Sequence, residues 1–303
     1  MSAAGNAALP GAQRRWVPLS LVVLALGLYF RCANLGGRPL GFGEGLKSLQ
    51  VMLVETAPPA PLYYCLLGWW AGLAGDSTAG LRAFSVLAGV AAILLAYWLG
   101  LELFGSRRVA GLAAALTAVS PFHALISRQA RPEALFTVTV LASCGILLRA
   151  LRRDRRRDWV FHELTVIAGV YTDLVFLAVL AAQGIWVAAW TRGPEARPRR
   201  PSPALLRYRK AAAGAVLAFL PWAVVMVFHA QRNPAWLETL LEGGAIPTAV
   251  AHFKIPAYLV VQFALAWALA RGYESSAALR RRVWQVVTAA VLVFGVISNI
   301  ARG

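Results

Sequence analysis

Nine apolar stretches with few charges succeed one another along the chain, at about 16–30, 60–74, 83–104, 109–126, 133–151, 159–191, 211–228, 256–270 and 283–301. A helix needs about 20 apolar residues to cross a bilayer core. The stretches supply enough apolar sequence for many such helices, so the expected fold class is all-α: a polytopic membrane helix bundle, forming one domain over residues 1–303. Only 14% of residues are charged, against roughly 25% in a typical soluble domain.

Two stretches do not have the length of a single crossing. At about 1.5 Å rise per residue, 159–191 is too long for one span, and Tyr171-Thr172-Asp173 interrupts it. Two short spans joined by a tight turn are expected there. The 60–74 stretch is short and follows Pro58-Pro59-Ala60-Pro61, so it reads as a surface-lying or re-entrant segment.

With these assignments there are about nine spans, and residues 31–82 form a long first external loop with juxtamembrane helices. The loops on one side then hold 21 basic residues, against 7 on the other, with Arg82 and Arg302 at span ends. The positive-inside rule makes the basic side cytoplasmic, with the amino terminus inside and the carboxyl terminus outside. Arg14 and Arg15 ahead of the first apolar run resemble the start of a signal peptide. No small-residue cleavage site follows, so the run reads as an uncleaved first span.

This placement also accounts for the net charge of +17. Runs such as Arg155-Arg156-Arg157 and Arg199-Arg200 read as topology determinants and contacts for anionic membrane lipid. No nucleic-acid module accompanies them, so nucleic acid is not an expected partner. The stretch 192–210, with Pro194, Pro198, Pro201 and Pro203, reads as a cytoplasmic basic linker. Cys32, Cys65 and Cys144 form no metal-spaced set, and His229 and His252 are far apart. No metal and no cofactor are expected. Gly41-Phe-Gly43-Glu-Gly45 has neither the preceding strand nor the Lys-Ser/Thr ending of a nucleotide-binding loop.

Polar chemistry in such a bundle collects where helices leave the bilayer, because ionisable groups are costly at its centre. Three external segments qualify: 31–82, the turn Ser120 to Glu133, and 229–255. Glu44 lies in a Gly-rich loop and also suits a solvated turn. Arg131, Arg128 and Lys47 suit either phosphate contacts or interfacial snorkelling. Glu133 after Pro132 suits the first turn of a helix, and Asp173 suits a local turn. Tyr63, Tyr64, Trp69 and Trp70 fit an interfacial aromatic belt or a lipid-tail groove. His123 fits an interface position.

An ordered set of short motifs runs through residues 25–225: Arg31, Phe42 to Gly45 with Glu44, Pro59-Ala-Pro-Leu-Tyr-Tyr64, Arg82, Leu103-Phe-Gly105, Ser120-Pro-Phe-His123, Ser127-Arg-Gln-Ala-Arg131, Tyr171-Thr172 and Leu220-Pro-Trp222. This set resembles the integral-membrane glycosyltransferases of the GT-C superfamily, in the protein mannosyltransferase-like and aminoarabinose-transferase-like branch. The resemblance implies a GT-C-like helical fold in a bacterial inner (plasma) membrane. It also implies a polyprenyl-phosphate-linked sugar as donor and an extracytoplasmic lipid, glycan or protein as acceptor.

In that chemistry the acceptor attacks the anomeric carbon while lipid phosphate departs. A carboxylate in the first loop takes the acceptor proton, which assigns Glu44 as base. Basic groups stabilise the phosphate, which assigns Arg131 and Lys47. Gln129, Glu133, Asp173 and Tyr63 are the further substrate-binding candidates. The family pattern has an Asp-Glu pair where this chain has Gly43-Glu44, and an acid where it has Gln129. It has Tyr where this chain has Glu133, and His where it has Asp173. A second reading is therefore a catalytically degenerate homologue that binds lipid-linked sugar or a partner subunit. A transporter ranks third, since the clearest spans are uncharged internally and no repeat is evident.

Overall fold

The computed structural model describes residues 22–37, 39–40, 61–191, 202–232 and 245–273, with scattered positions between 285 and 297. Every regular element among them is helical. In chain order they are α1 (Val22–Cys32), α2 (Pro61–Ala74), α3 (Thr78–Phe104), α4 (Arg107–Val119), α5 (Pro121–Ser127), α6 (Glu133–Arg153), α7 (Arg156–Thr172), α8 (Phe176–Thr191), α9 (Pro203–Arg232) and α10 (Ala245–Tyr273).

Local chemistry sets the boundaries. Ser77 caps α3, its hydroxyl accepting from Gly80 N at 3.1 Å. Gly105 ends that helix in the left-handed region, at φ 63°, where glycine carries no Cβ penalty. Ser106 then caps α4. Asp154 closes α6 at φ 49°, and the chain re-enters a helix at Arg156. Among the described residues, Thr78–Phe104, Glu133–Arg153 and Pro203–His229 are each long and apolar enough to cross a membrane alone.

Two expected stretches are divided. The 159–191 stretch parts into α7 and α8 at Asp173, whose Oδ1 accepts from Val175 N at 2.8 Å. The 109–126 stretch, expected as one span, is bent by 60° between α4 and α5. Ser120 stops the first helix and caps the second, and Pro121 opens α5, where its missing N–H suits a first-turn position. α9 begins at Pro203, inside the stretch expected as the 192–210 linker, so residues 203–210 are helical. Proline is admitted at that first turn for the same reason, and Ala204 to Lys210 contains good helix formers.

α3 is the central helix, packed on α4 and α6. α7 packs between α6 and α9, and α10 lies along α4. Close approach depends on small residues, as in other membrane bundles. A Cβ at Gly100 would lie 2.8 Å from Ala110 Cα, and one at Gly145 would lie 2.3 Å from the Trp98 ring. Four helices are also joined by buried polar groups. Gln183 on α8 donates to Ser143 Oγ of α6 at 2.9 Å. Its Oε1 lies 3.4 Å from His162 Nε2 of α7, and the His162 ring contacts Tyr208 of α9.

The bundle has a basic end and an opposite end. At the basic end Arg152 pairs with Glu102 at 3.2 Å, and Arg207 pairs with Asp154, which also accepts from Trp159 Nε1. Both ion pairs are substantially exposed, and such pairs contribute ~0–1 kcal/mol each. The starts of α3, α6 and α8 and the end of α7 gather at the opposite end.

Candidate active site

α2 presents one face to the bundle and one away from it. Tyr63, Tyr64 and Leu67 are buried, whereas Trp69 and Leu73 are exposed. The Tyr63 hydroxyl meets Ser85 Oγ of α3 at 3.1 Å, and Ser85 Oγ reaches the Arg131 carbonyl at 3.5 Å. Trp70 Nε1 donates to Gly80 O at 2.8 Å. The rings of Tyr63 and Trp70 pack on Phe84, which presses α2 against the start of α3.

The 128–132 turn supplies the charged groups. Arg131 N donates to Gln129 O at 2.8 Å, which makes the turn tight. Ala130 is fully buried beneath it, and Arg131 and Glu133 are half-buried on either side of Pro132. Glu133 opens α6, where a carboxylate favours the positive end of the helix dipole. Burial pushes the Tyr64 phenol above its ordinary range; the Glu133 carboxylate pushes it further up and the Arg131 guanidinium pulls it down. Tyr64, Arg131 and Glu133 therefore lie within one another's electrostatic reach.

Asp173 lies at the same end, where α7 finishes beside the start of α6. It is buried, and one of its carboxylate oxygens caps the turn into α8. Phe136 of α6 meets Phe176 of α8 edge-on at 6.2 Å, which holds the two helix starts together. Arg82 donates to Leu35 O at 2.8 Å and to Pro39 O at 3.0 Å, tying the chain after α1 onto α3. Tyr63, Arg131, Glu133 and the backbone of Gln129 thus come together. Glu44 and Lys47 lie outside the described residues.

Ser85, Arg31, His123 and Gln262 were not singled out as site residues by sequence reasoning, yet they hold this end of the bundle. Their signal was available: each is a polar side chain in or at the edge of an apolar stretch, where polarity is costly unless used. No metal-binding cluster of His, Cys, Asp and Glu occurs among the described residues.

The model of the dolichyl-phosphate-mannose-protein mannosyltransferase family matches residues 57–224. The chain belongs to this family. It is thereby a member of the GT-C superfamily of membrane glycosyltransferases. The matched region runs from just before α2 into α9 and includes Tyr63, Gln129, Arg131, Glu133 and Asp173.

Among solved structures, the chain is similar to ArnT from Cupriavidus metallidurans in its apo state, with a TM-score of 0.52 and 15% identity over 96% of this chain. It spans 60% of that protein's length. The archaeal oligosaccharyltransferase AglB from Archaeoglobus fulgidus, in complex with an inhibitory peptide and a dolichol-phosphate, aligns at a TM-score of 0.48 and 15% identity. That alignment covers 91% of this chain and 39% of AglB. No curated protein matches the chain by sequence.

Proposed function

We propose that the protein is a membrane glycosyltransferase that moves a sugar from a polyprenyl-phosphate donor to an extracytoplasmic acceptor. The observation that carries this reading is the convergence of Tyr63, Tyr64, Arg131 and Glu133 at the end of the bundle away from the arginine runs. The donor class also follows the family's own description, which names a dolichyl-phosphate sugar and a protein acceptor. In a nine-span arrangement with a cytoplasmic amino terminus, this end faces outward, beside the lipid headgroups of a bacterial inner membrane.

Each residue then has a role. Arg131, with Lys47, holds the donor phosphate, and its charge stabilises the leaving group as the glycosidic bond breaks. Glu44 takes the acceptor proton as the new bond forms. Tyr63 sets α2 against the 128–132 turn. Gln129 and Glu133 face the donor from that turn, and Asp173 fixes the α7–α8 corner behind it. No metal or cofactor has a part in this scheme.

A second reading is a non-catalytic relative that binds lipid-linked sugar or a partner subunit. Gly43 and Gln129, standing where the family pattern carries acids, favour it. The deciding experiment is a turnover assay of the purified chain with a polyprenyl-phosphate sugar. Turnover that E44Q abolishes, with insertion and yield unchanged, supports the transferase. Full turnover in E44Q rejects Glu44 as base, and donor binding without turnover in the native chain selects the second reading.

A further inference from the structure

The bend between α4 and α5 leaves backbone carbonyls that a continuous helix would have satisfied. The group that would pair with the Thr117 carbonyl is the nitrogen of Pro121, which has no hydrogen. The last turn of any helix carries such orphan acceptors, and they are costly where water is excluded. Two side chains from distant helices occupy them. Arg31 of α1, with no exposed surface, donates to Ala118 O at 2.8 Å and Thr117 O at 3.0 Å. It also donates to Gly27 O of its own helix, at 2.9 Å. Gln262 of α10 donates to Leu116 O at 3.3 Å.

The cation also sits at the negative end of the α4 dipole. Gly27 makes the approach of α1 possible, since a Cβ there would lie 2.9 Å from Ala118 Cβ. His123, the buried third residue of α5, lies with its Nε2 3.2 Å from Gln262 Oε1. With the Gln262 amide nitrogen donating to Leu116, its oxygen accepts from His123, which requires the hydrogen on Nε2. The elbow is therefore held from both flanks, by α1 and by α10, and α5 leads directly into the 128–132 turn.

We propose that Arg31 and Gln262 are positioning residues: by filling the open carbonyls of the α4–α5 elbow, they set where the following turn delivers Arg131. The proposal deepens the glycosyltransferase reading and rests on it for its catalytic consequence. Neither residue touches the reacting atoms. Each acts through the direction of α5, and the dipole and hydrogen-bond demands of the bend explain why an arginine and an amide are used. Arginine suits the place because its planar fork spans two carbonyls at once, which a lysine cannot reproduce in full.

The test uses the full chain in lipid nanodiscs, with R31M, R31K, Q262L, R131K and the double variant R31M/R131K. Two readouts are taken: amide hydrogen exchange over residues 120–133, and kcat and KM for a polyprenyl-phosphate sugar. R31M and Q262L are expected to raise exchange across 120–133 at least tenfold, and R31K to recover part of it. R31M is expected to cut kcat/KM at least tenfold in the native background and less than twofold in R131K. Unchanged exchange in R31M and Q262L overturns the elbow, and the same activity loss in both backgrounds overturns its link to Arg131. If the native chain shows no glycosyl transfer, the function reading fails, while the exchange result still decides the elbow.

Discussion

Gly89 lies on α3 at the point where Ser127 and Arg31 crowd together, and G89A puts the packing of that point under direct test. A Cβ built there would lie 2.1 Å from Ser127 Oγ, 2.7 Å from Ser127 Cβ and 3.0 Å from Arg31 Nε. Ser127 has no easy retreat, since it is buried and its hydroxyl donates to His123 O at 2.6 Å. Overpacking of this kind costs about 1–3 kcal/mol. Alanine recovers up to about 1 kcal/mol of helix propensity over glycine, so a net loss of up to about 2 kcal/mol is expected. Gly111 on α4 supplies the control, because nothing lies within 4 Å of its built Cβ. G111A should gain roughly 0.5–1 kcal/mol by the same propensity term. Half-buried Cys144 reports unfolding once exposed Cys32 and Cys65 are changed to serine, so a thiol-reactive dye can follow the melt. The reasoning fails if G89A melts at or above its parent, or if G111A falls as far as G89A.

R131Q removes the charge proposed to hold the donor phosphate; charged hydrogen bonds contribute about 1.5–3 kcal/mol, so the KM for donor should rise roughly 10- to 100-fold in steady-state assays. Q183L breaks the bonds from Gln183 to Ser143 and His162, and at about 0.6 kcal/mol per interhelical bond it should cost about 1 kcal/mol in a reversible detergent unfolding titration. Tyr64 gives a pH signature. Its phenol is raised in the folded protein by burial and Glu133, so the unfolded chain releases that proton first and stability falls as pH climbs past about 10; Y64F should flatten this alkaline slope in melts between about pH 9 and 11.

Helices and their breaks were legible where length or a special residue left one solution. The 159–191 stretch exceeds one crossing and carries Asp173, whose carboxylate is observed capping the turn. The start of α6 was legible from Pro132-Glu133. The α4–α5 elbow was not: Ser120-Pro121 marks a possible helix start equally well at the edge of the membrane or within a bent span. Its bend depends on acceptors being satisfied by Arg31 and Gln262, 86 and 146 residues distant in sequence from the carbonyls they reach. Tyr63 and Arg131 were singled out through the motif pattern and Glu133 through its place after Pro132, whereas the nearness of Tyr64 to both charges arises from how α2 lies on α3. The start of α9 at Pro203 was obscured because prolines signal linkers and first helical turns alike.

The polar content of α7 bears on how the bundle is built during synthesis. Arg156, Arg157, Asp158, His162 and Glu163 make this helix a poor candidate to partition into lipid by itself. His162 finds its hydrogen-bonding partner on α8, at Gln183, and Phe176 at the start of α8 packs on Phe136 of α6. The nascent chain should therefore hold α7 at the insertion machinery until α8 emerges, and the two should enter as a pair. A chain truncated after Thr172 should leave α7 on the membrane surface, with its glutamate still in water.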